Sequence, residues 1–356
     1  MKGRKLLLLL GSICLILVFA ALPLMTACEE DVTPPAEEPI LLTYGSFVSS
    51  THYMSLADLE WQQWITDKSG GIVQWENYFG GTVVTLEDGM NQIASGVVDL
   101  GNATPTLSPG YDLTNNTGSF LCAISDRTKY RQAAAEIEEQ FPEILAEVTT
   151  KNLVPLGTFG LQERFALATV SVPIHTLDDV VGLQMRAVGI HTDFANLLGC
   201  TPVGMPIGDT VVSLEKHIVD GTFLSSRESL KSFGLADVVN YVTWLNYYHG
   251  GVLPCRVMNL DSWNRLPAEI QQIFIDSIPV LESLNDEYSD IEAQAGLDYA
   301  EQMGVQFFEL SSQDQAAFSD IIQDALMMIV DQLNDKGLPG TEIYNACLAL
   351  NEKYSQ

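Results

Sequence analysis

Basic side chains are scarce in this chain. Its 356 residues include 17 Lys and Arg against 46 Asp and Glu, for a formal net charge of −29. Nucleic acid is excluded as a partner on that ground, because phosphate contacts need clustered cations. Histidine is also thin: five residues, at positions 52, 175, 191, 217 and 249, none in the spacing of a metal site. The six cysteines contain no Cys-x-x-Cys and no zinc pattern. Gly-x-Ser-x-Gly, His-Glu-x-x-His, the Walker loop and Gly-x-Gly-x-x-Gly are all missing. The carboxylates fall on amphipathic faces, where a solvated surface puts them. Catalysis, a resident metal and a cofactor are therefore not expected. What is present is apolar: 47% hydrophobic residues and five tryptophans, enough for sizeable cores and two domains of ordinary size.

The amino terminus reads as a targeting segment. Lys2, Arg4 and Lys5 precede an apolar run from Leu6 to Leu24, the order of charges and apolar residues that directs export. Leu24-Met25-Thr26-Ala27-Cys28 resembles a bacterial lipobox. On that reading residues 1–27 are a signal peptide and Cys28 is lipidated; an uncleaved membrane anchor is the alternative, since the run is nearly long enough to span. Lipoprotein is preferred because small Ala27 precedes the cysteine and Pro23 breaks the apolar run. Residues 28–39, acidic and proline-rich, form a flexible tether. Cys122, Cys200, Cys255 and Cys347 remain, as buried free thiols or as pairs with three possible connectivities.

From Ile40 the pattern alternates strand and helix. Ile40–Gly45 and Ile72–Tyr78 read as strands around a helix from Met54 to Lys68, with Ser50 or Thr51 as its cap. A helix from Leu86 to Ser95 leads to a strand ending Asp99-Leu100-Gly101. Residues 107–125 read as irregular, with Asn115 to Gly118 a loop tip. One long helix is expected over 128–150. Pro267 to Met303 has helical spacing for about ten turns, with Ile270, Ile273, Phe274, Leu281, Leu284, Tyr288 and Ile291 on one side and Pro279 expected to kink it.

The most informative stretch is Leu177 to Phe223. Asp178 and Asp179 suit a first helical turn, and Gly182 ends it. Leu183 to Val188 alternates as a strand, His191 to Leu198 is helical, and Thr201 to Met205 is a short strand closed by Pro206. Val211 to Ile218 is a helix before Asp220-Gly221. This arrangement sets Arg186 near a strand end, where open α/β sheets bind ligands.

Those residues resemble the core signature of TRAP-transporter solute receptors of the DctP type. Pro173-Ile174, Leu177-Asp178, Gly182 to Arg186, Gly199 to Pro206 and Val219-Asp220-Gly221 carry the resemblance, together with Asn259, Trp263, Leu266 and Pro267. It implies an α/β fold with two periplasmic-binding-protein-like lobes and a long helix spanning both. Lobe I would be residues 40–160 and 252–290, and lobe II residues 161–251. Residues 291–356 would complete the spanning helix and add a last strand and helices. It further implies that Arg186 grips a ligand carboxylate bidentately, a task guanidinium suits because it stays charged when desolvated. By position, Thr51 with His52, and Thr104, become ligand contacts. Arg164 is a second basic candidate, with an internal pair to Glu163 as the alternative.

One departure bears on the ligand. Where the family commonly shows a polar Asn after Asp-Gly, this chain has Thr222-Phe223-Leu224. Phe223 and Leu224, with Ile207 facing them, favour a monocarboxylate with an apolar body over a C4-dicarboxylate or a sugar acid; they serve equally well as core of the second lobe. The resemblance implies a monomeric, extracytoplasmic receptor for a small organic anion that docks on a TRAP membrane permease. The alternatives are a sensing module for a signalling partner and an ABC-type receptor.

Overall fold

The computed structural model describes residues 38–105, 108–161, 163–248, 250–251, 253–254 and 256–355. The expected signal peptide and Cys28 lie outside the described residues, as does Cys255. No helix among the described residues is long and apolar enough to cross a membrane.

The chain starts as a β-α-β-α-β run: β1 (Ile40–Ser46), α1 (Tyr53–Lys68), β2 (Val73–Tyr78), α2 (Gly89–Ala94) and β3 (Leu100–Asn102). Both β2 and β3 pair parallel to β1, as helical crossovers require. The cap of α1 is neither Ser50 nor Thr51 but His52, whose Nδ1 accepts from the Met54 N–H at 3.3 Å.

The next stretch departs from expectation twice. Residues read as irregular form α3 (Asp112–Phe120), with Gly118 inside the helix rather than at a loop tip. Gly118 is there for clearance, since a Cβ on it would lie 2.4 Å from the Gly251 carbonyl oxygen. Space, and not a turn, selects this glycine. The single helix expected over 128–150 is two, α4 (Arg127–Gln140) and α5 (Glu143–Thr149). Pro142 divides them: Phe141, at φ −128° and ψ 76°, is held out of the helical region by the ring that follows.

β4 (Leu153–Pro155) ends the first pass, and the chain crosses to β5 (Arg164–Thr169). Then come β6 (Gln184–Arg186), α6 (Ile190–Leu197), β7 (Thr201–Val203), α7 (Thr210–Glu215), β8 (Gly221–Leu224), α8 (Ser229–Ser232) and β9 (Tyr241–Tyr248). The aromatic-dense segment 241–248 is thus a strand. The chain returns through β10 (Arg256–Asn259) and α9 (Leu260–Arg265) to α10 (Ala268–Met303), β11 (Gln306–Glu309), α11 (Ser312–Asp335) and α12 (Gly340–Tyr354).

Two sheets result, ordered β2-β1-β3-β10-β4 and β11-β9-β5-β8-β6-β7. Three connections join them: β4 to β5, β9 to β10, and α10 to β11. At 36 residues α10 is about 54 Å long. Its Ile270, Phe274 and Leu281 enter the core of the first sheet with Trp61 and Leu100. Its Ala300 enters the core of the second with Leu214 and Val242. It therefore braces both. The other face of the second sheet is covered by α4, α6, α11 and α12, whose apolar sides meet Phe165, Met185 and Phe223.

Candidate functional site

Arg186 is the last residue of β6, which lies between β7 and β8 in parallel register, Arg186 opposite Val203 and Thr222. Strands parallel on both sides bring three loops to one sheet edge, the place where α/β sheets leave a crevice. The Arg186 side chain is buried, its residue only 6% exposed. Its Nε donates to the Met205 carbonyl oxygen at 3.2 Å. No carboxylate among the described residues pairs with it, and burial alone pulls its pKa below the usual guanidinium value. A desolvated cation with no counter-ion is costly, so the position is arranged for an anion from outside.

The guanidinium lines a cavity of about 240 Å³. Ile207, Phe223 and Leu224 line it too. Phe223 and Leu224 point to opposite faces of β8, as strand geometry demands, and belong to different cores. Both are packing residues, and both also line the cavity. The first turn of α6 opens on the same space through Gly189 and Ile190. The His191 and Thr192 N–H groups there donate to the Val188 and Gly189 carbonyl oxygens at 3.2 and 3.0 Å, while the helix dipole favours negative charge.

A second cavity of about 720 Å³ adjoins through Ile207, which lines both. Thr51, His52 and Phe47 come to it from the β1–α1 connection, and Phe233 and Lys231 from the other side. Thr104 is 8% exposed and precedes Pro105, which lines the Arg186 cavity. The structure thus puts Arg186, Phe223 and Leu224 around one cavity and Thr51 and His52 around a second, with Ile207 in the wall of both and Thr104 next to Pro105 at the margin of the first.

Arg164 is elsewhere. Its guanidinium makes a two-pronged pair with Glu309, at 2.8 and 2.7 Å, and lies 5.9 Å from the Trp244 ring centre. Its expected internal partner was Glu163, yet that carboxylate, 1% exposed, is held by Arg227 at 2.5 and 2.9 Å and by Arg127 at 3.8 Å. Glu163 precedes β5 and Arg164 is its first residue, and these neighbours in sequence acquire unrelated partners. Sequence reasoning also missed α3, whose Asn115, Asn116 and Ser119 line the Arg186 cavity. Reading that segment as a loop hid their shared helical face.

His52 is buried, not solvated. It is 8% exposed, packed on Tyr53 and Phe233, with Nε2 3.8 Å from a Glu228 carboxylate oxygen. Burial, and then the Arg256 charge, lower its pKa from 6.5 to about 4. Because the folded value is the lower one, the unfolded chain binds more protons between those two pH values, and stability is lost as pH falls through them. The full loss is about 3 kcal/mol. Glu228, raised by burial, acts in the opposite sense. His52→Asn keeps a capping acceptor and removes the titration. Thermal unfolding of this variant between pH 7 and 4 is expected to show a shallower loss than wild type; parallel curves would contradict the assignment.

Residues 44–332 match the family model for bacterial extracellular solute-binding protein, family 7, DctP. Two curated relatives align in part. An uncharacterized protein of Haemophilus influenzae is 24% identical over 147 residues, covering 40% of this chain and 43% of that one. A monocarboxylate 2-oxoacid-binding periplasmic protein of Nostoc sp. is 27% identical over 101 residues, 28% of each. The chain thus spans less than half the length of these relatives. Solved structures align over most of it. A TRAP periplasmic solute binding protein from Desulfovibrio salexigens, an open complex, superposes with a TM-score of 0.73 at 25% identity, covering 88% of this chain and 96% of that one. One from Rhodoferax ferrireducens with copurified benzoate gives 0.75 at 20%, covering 89% and 98%. One from Bordetella bronchiseptica with bound mandelate gives 0.74 at 20%, covering 88% and 99%. The matched span takes in both sheets, the Arg186 crevice and most of the helices that back them: this chain belongs to the bacterial extracellular solute-binding proteins of family 7, the DctP family.

Proposed function

We propose that this chain is the extracytoplasmic receptor of a TRAP transporter and that it takes a small organic monocarboxylate into the Arg186 cavity. One observation carries the reading. Arg186 is the single Lys or Arg among the described residues lining the cavity, and it has no carboxylate partner there. One fixed positive charge calls for one ligand carboxylate. A second carboxylate would be stripped of water against Ile207 and Phe223 with nothing to balance it, which is expensive. The cavity, of about 240 Å³, has room for a compact acid. Benzoate and mandelate in related structures, and the 2-oxoacid named for the Nostoc protein, are acids of this kind.

The same reading divides the chain into lobe I, residues 40–160 and 252–290, and lobe II, residues 161–251, which close on the ligand. Residues 291–356 back both. Thr51, His52 and Thr104 border the crevice from lobe I. A monomer anchored through lipidated Cys28 hands its ligand to the membrane permease, without catalysis.

A thermal-shift screen tests the ligand class. An acid present at a hundredfold its Kd stabilises by about 2.7 kcal/mol, a rise in Tm on the order of 5 °C for a chain of this size. Monocarboxylates are expected to supply the largest shifts. Succinate or malate giving the largest shift would overturn the reading.

A further inference from the structure

The Arg186 cavity has a polar wall that a carboxylate grip does not use. It is furnished by α3, whose two faces differ sharply. Leu113, Thr117 and Phe120 are buried, Leu113 and Phe120 in the core that also holds Phe165 and Phe223. Asn115 and Ser119, one turn apart and so on one face, line the cavity instead. Their neighbours are committed elsewhere: the Asn116 amide donates to the Asp112 carbonyl oxygen at 2.8 Å, and the Thr114 hydroxyl to Glu147 at 2.6 Å. The side chains of Asn115 and Ser119 make no hydrogen bond among the described residues, although both are half-buried.

Ile190, Ile207 and Phe223, which also line the cavity beside His191, Ser225 and Ser229, cannot hydrogen-bond through their side chains. A ligand that fills this space and displaces its water leaves the carboxamide and the hydroxyl unpaired unless the ligand pairs with them. Both can donate and accept, and a hydroxyl or keto oxygen would pair with them without bringing a second charge beside Ile207 and Phe223. We infer that Asn115 and Ser119 read a hydroxyl or keto oxygen on the ligand, so that the site selects oxygenated monocarboxylates over the corresponding plain acids. This rests on the monocarboxylate reading of the same cavity and adds its selectivity.

Two matched series test it by calorimetry on the purified protein: phenylacetate, mandelate and phenylglyoxylate, and isovalerate, 2-hydroxyisovalerate and 2-oxoisovalerate. In the series that fits the cavity, an oxygenated member is expected to bind at least about tenfold tighter than the plain acid, the lower range for a buried polar group left unpaired. Asn115→Leu is expected to bring that ratio towards one, and Ser119→Ala to narrow it should the first variant not fold. Arg186→Met is the control, because it weakens every member of both series. A plain acid that binds as tightly as its oxygenated partners, or a ratio untouched by both α3 variants, overturns the inference while leaving the carboxylate grip standing. Affinities insensitive to Arg186→Met, or no binding in either series, sink the monocarboxylate reading and this inference with it.

Discussion

Arg186→Met is expected to abolish carboxylate binding and to leave the ligand-free protein as stable as wild type or more so. The two halves have one cause. Arg186 is 6% exposed, and its one hydrogen bond among the described residues, to the Met205 carbonyl oxygen, satisfies only Nε. With no ligand the charge lies in a desolvated place without a counter-ion, which is why burial draws its pKa down. Replacing buried ionic groups by apolar ones of similar volume is often neutral or stabilising by about 1–4 kcal/mol. Bound ligand reverses the sign, because a two-pronged carboxylate pair shielded from water is among the strongest contacts available to a side chain. Removing one partner of such a pair costs about 2–5 kcal/mol, a loss in affinity of about thirtyfold or more. Calorimetry with an acid found by the thermal-shift screen, beside urea unfolding of the free protein, reads both halves. A variant that binds normally refutes the role of Arg186. A variant that binds weakly and also unfolds easily assigns the residue to structure instead.

Much of this was legible in the sequence, for identifiable reasons. Residues 177–223 keep local signals in agreement: Gly182 and Gly199 end elements at positive φ, the strands are short, and Arg186 falls at a strand end. The dihedral and pattern rules involved are local, so no knowledge of the rest of the chain is needed. The α3 segment was illegible because its glycine answers to a long-range contact, the crossing of Gly251, and not to local backbone freedom. The long helix was half legible. Ile270, Phe274 and Leu281 are buried as their spacing predicts, but Ile291 is 54% exposed. Beyond Leu281 the buried stripe turns to Asn285, Ser289, Ala293 and Gly296, small or polar residues that hydropathy does not flag. Gly296 explains the change: a Cβ there would lie 2.2 Å from the Arg227 carbonyl oxygen. Close approach between α10 and the segment before α8 replaces apolar bulk as the criterion. Arg164 shows the converse failure, since a plausible motif position is occupied by a residue whose partner, Glu309, is 145 positions away.

The element least visible in sequence carries the largest expected effect on stability. Asp58→Ala is expected to destabilise the protein by about 3–5 kcal/mol, the cost of leaving a buried charge without its partner. Asp58 and Arg256 are 0% and 1% exposed, with Arg256 Nε donating to Asp58 Oδ1 at 2.8 Å. The guanidinium also donates to Asn102 Oδ1 at 3.1 Å and Asn285 Oδ1 at 3.3 Å, and the Tyr44 hydroxyl donates to the same carboxylate. Five elements, β1, α1, β3, β10 and α10, meet in this one network, so it fixes the bracing helix to the first sheet. It also touches the crevice, because the Arg256 charge helps keep His52 neutral. Two effects separate here. If the pair mainly adds stability, Asp58→Ala with Arg256→Met loses as much as the single change. If each partner chiefly neutralises the burial cost of the other, the double variant recovers most of the loss, since no stranded ion remains. The second outcome is expected: Asn102 and Asn285 are uncharged and leave far smaller desolvation penalties than a lone guanidinium. Guanidinium unfolding of the two single variants and the double variant closes the cycle, and a double variant no more stable than either single one would assign the network a net stabilising role.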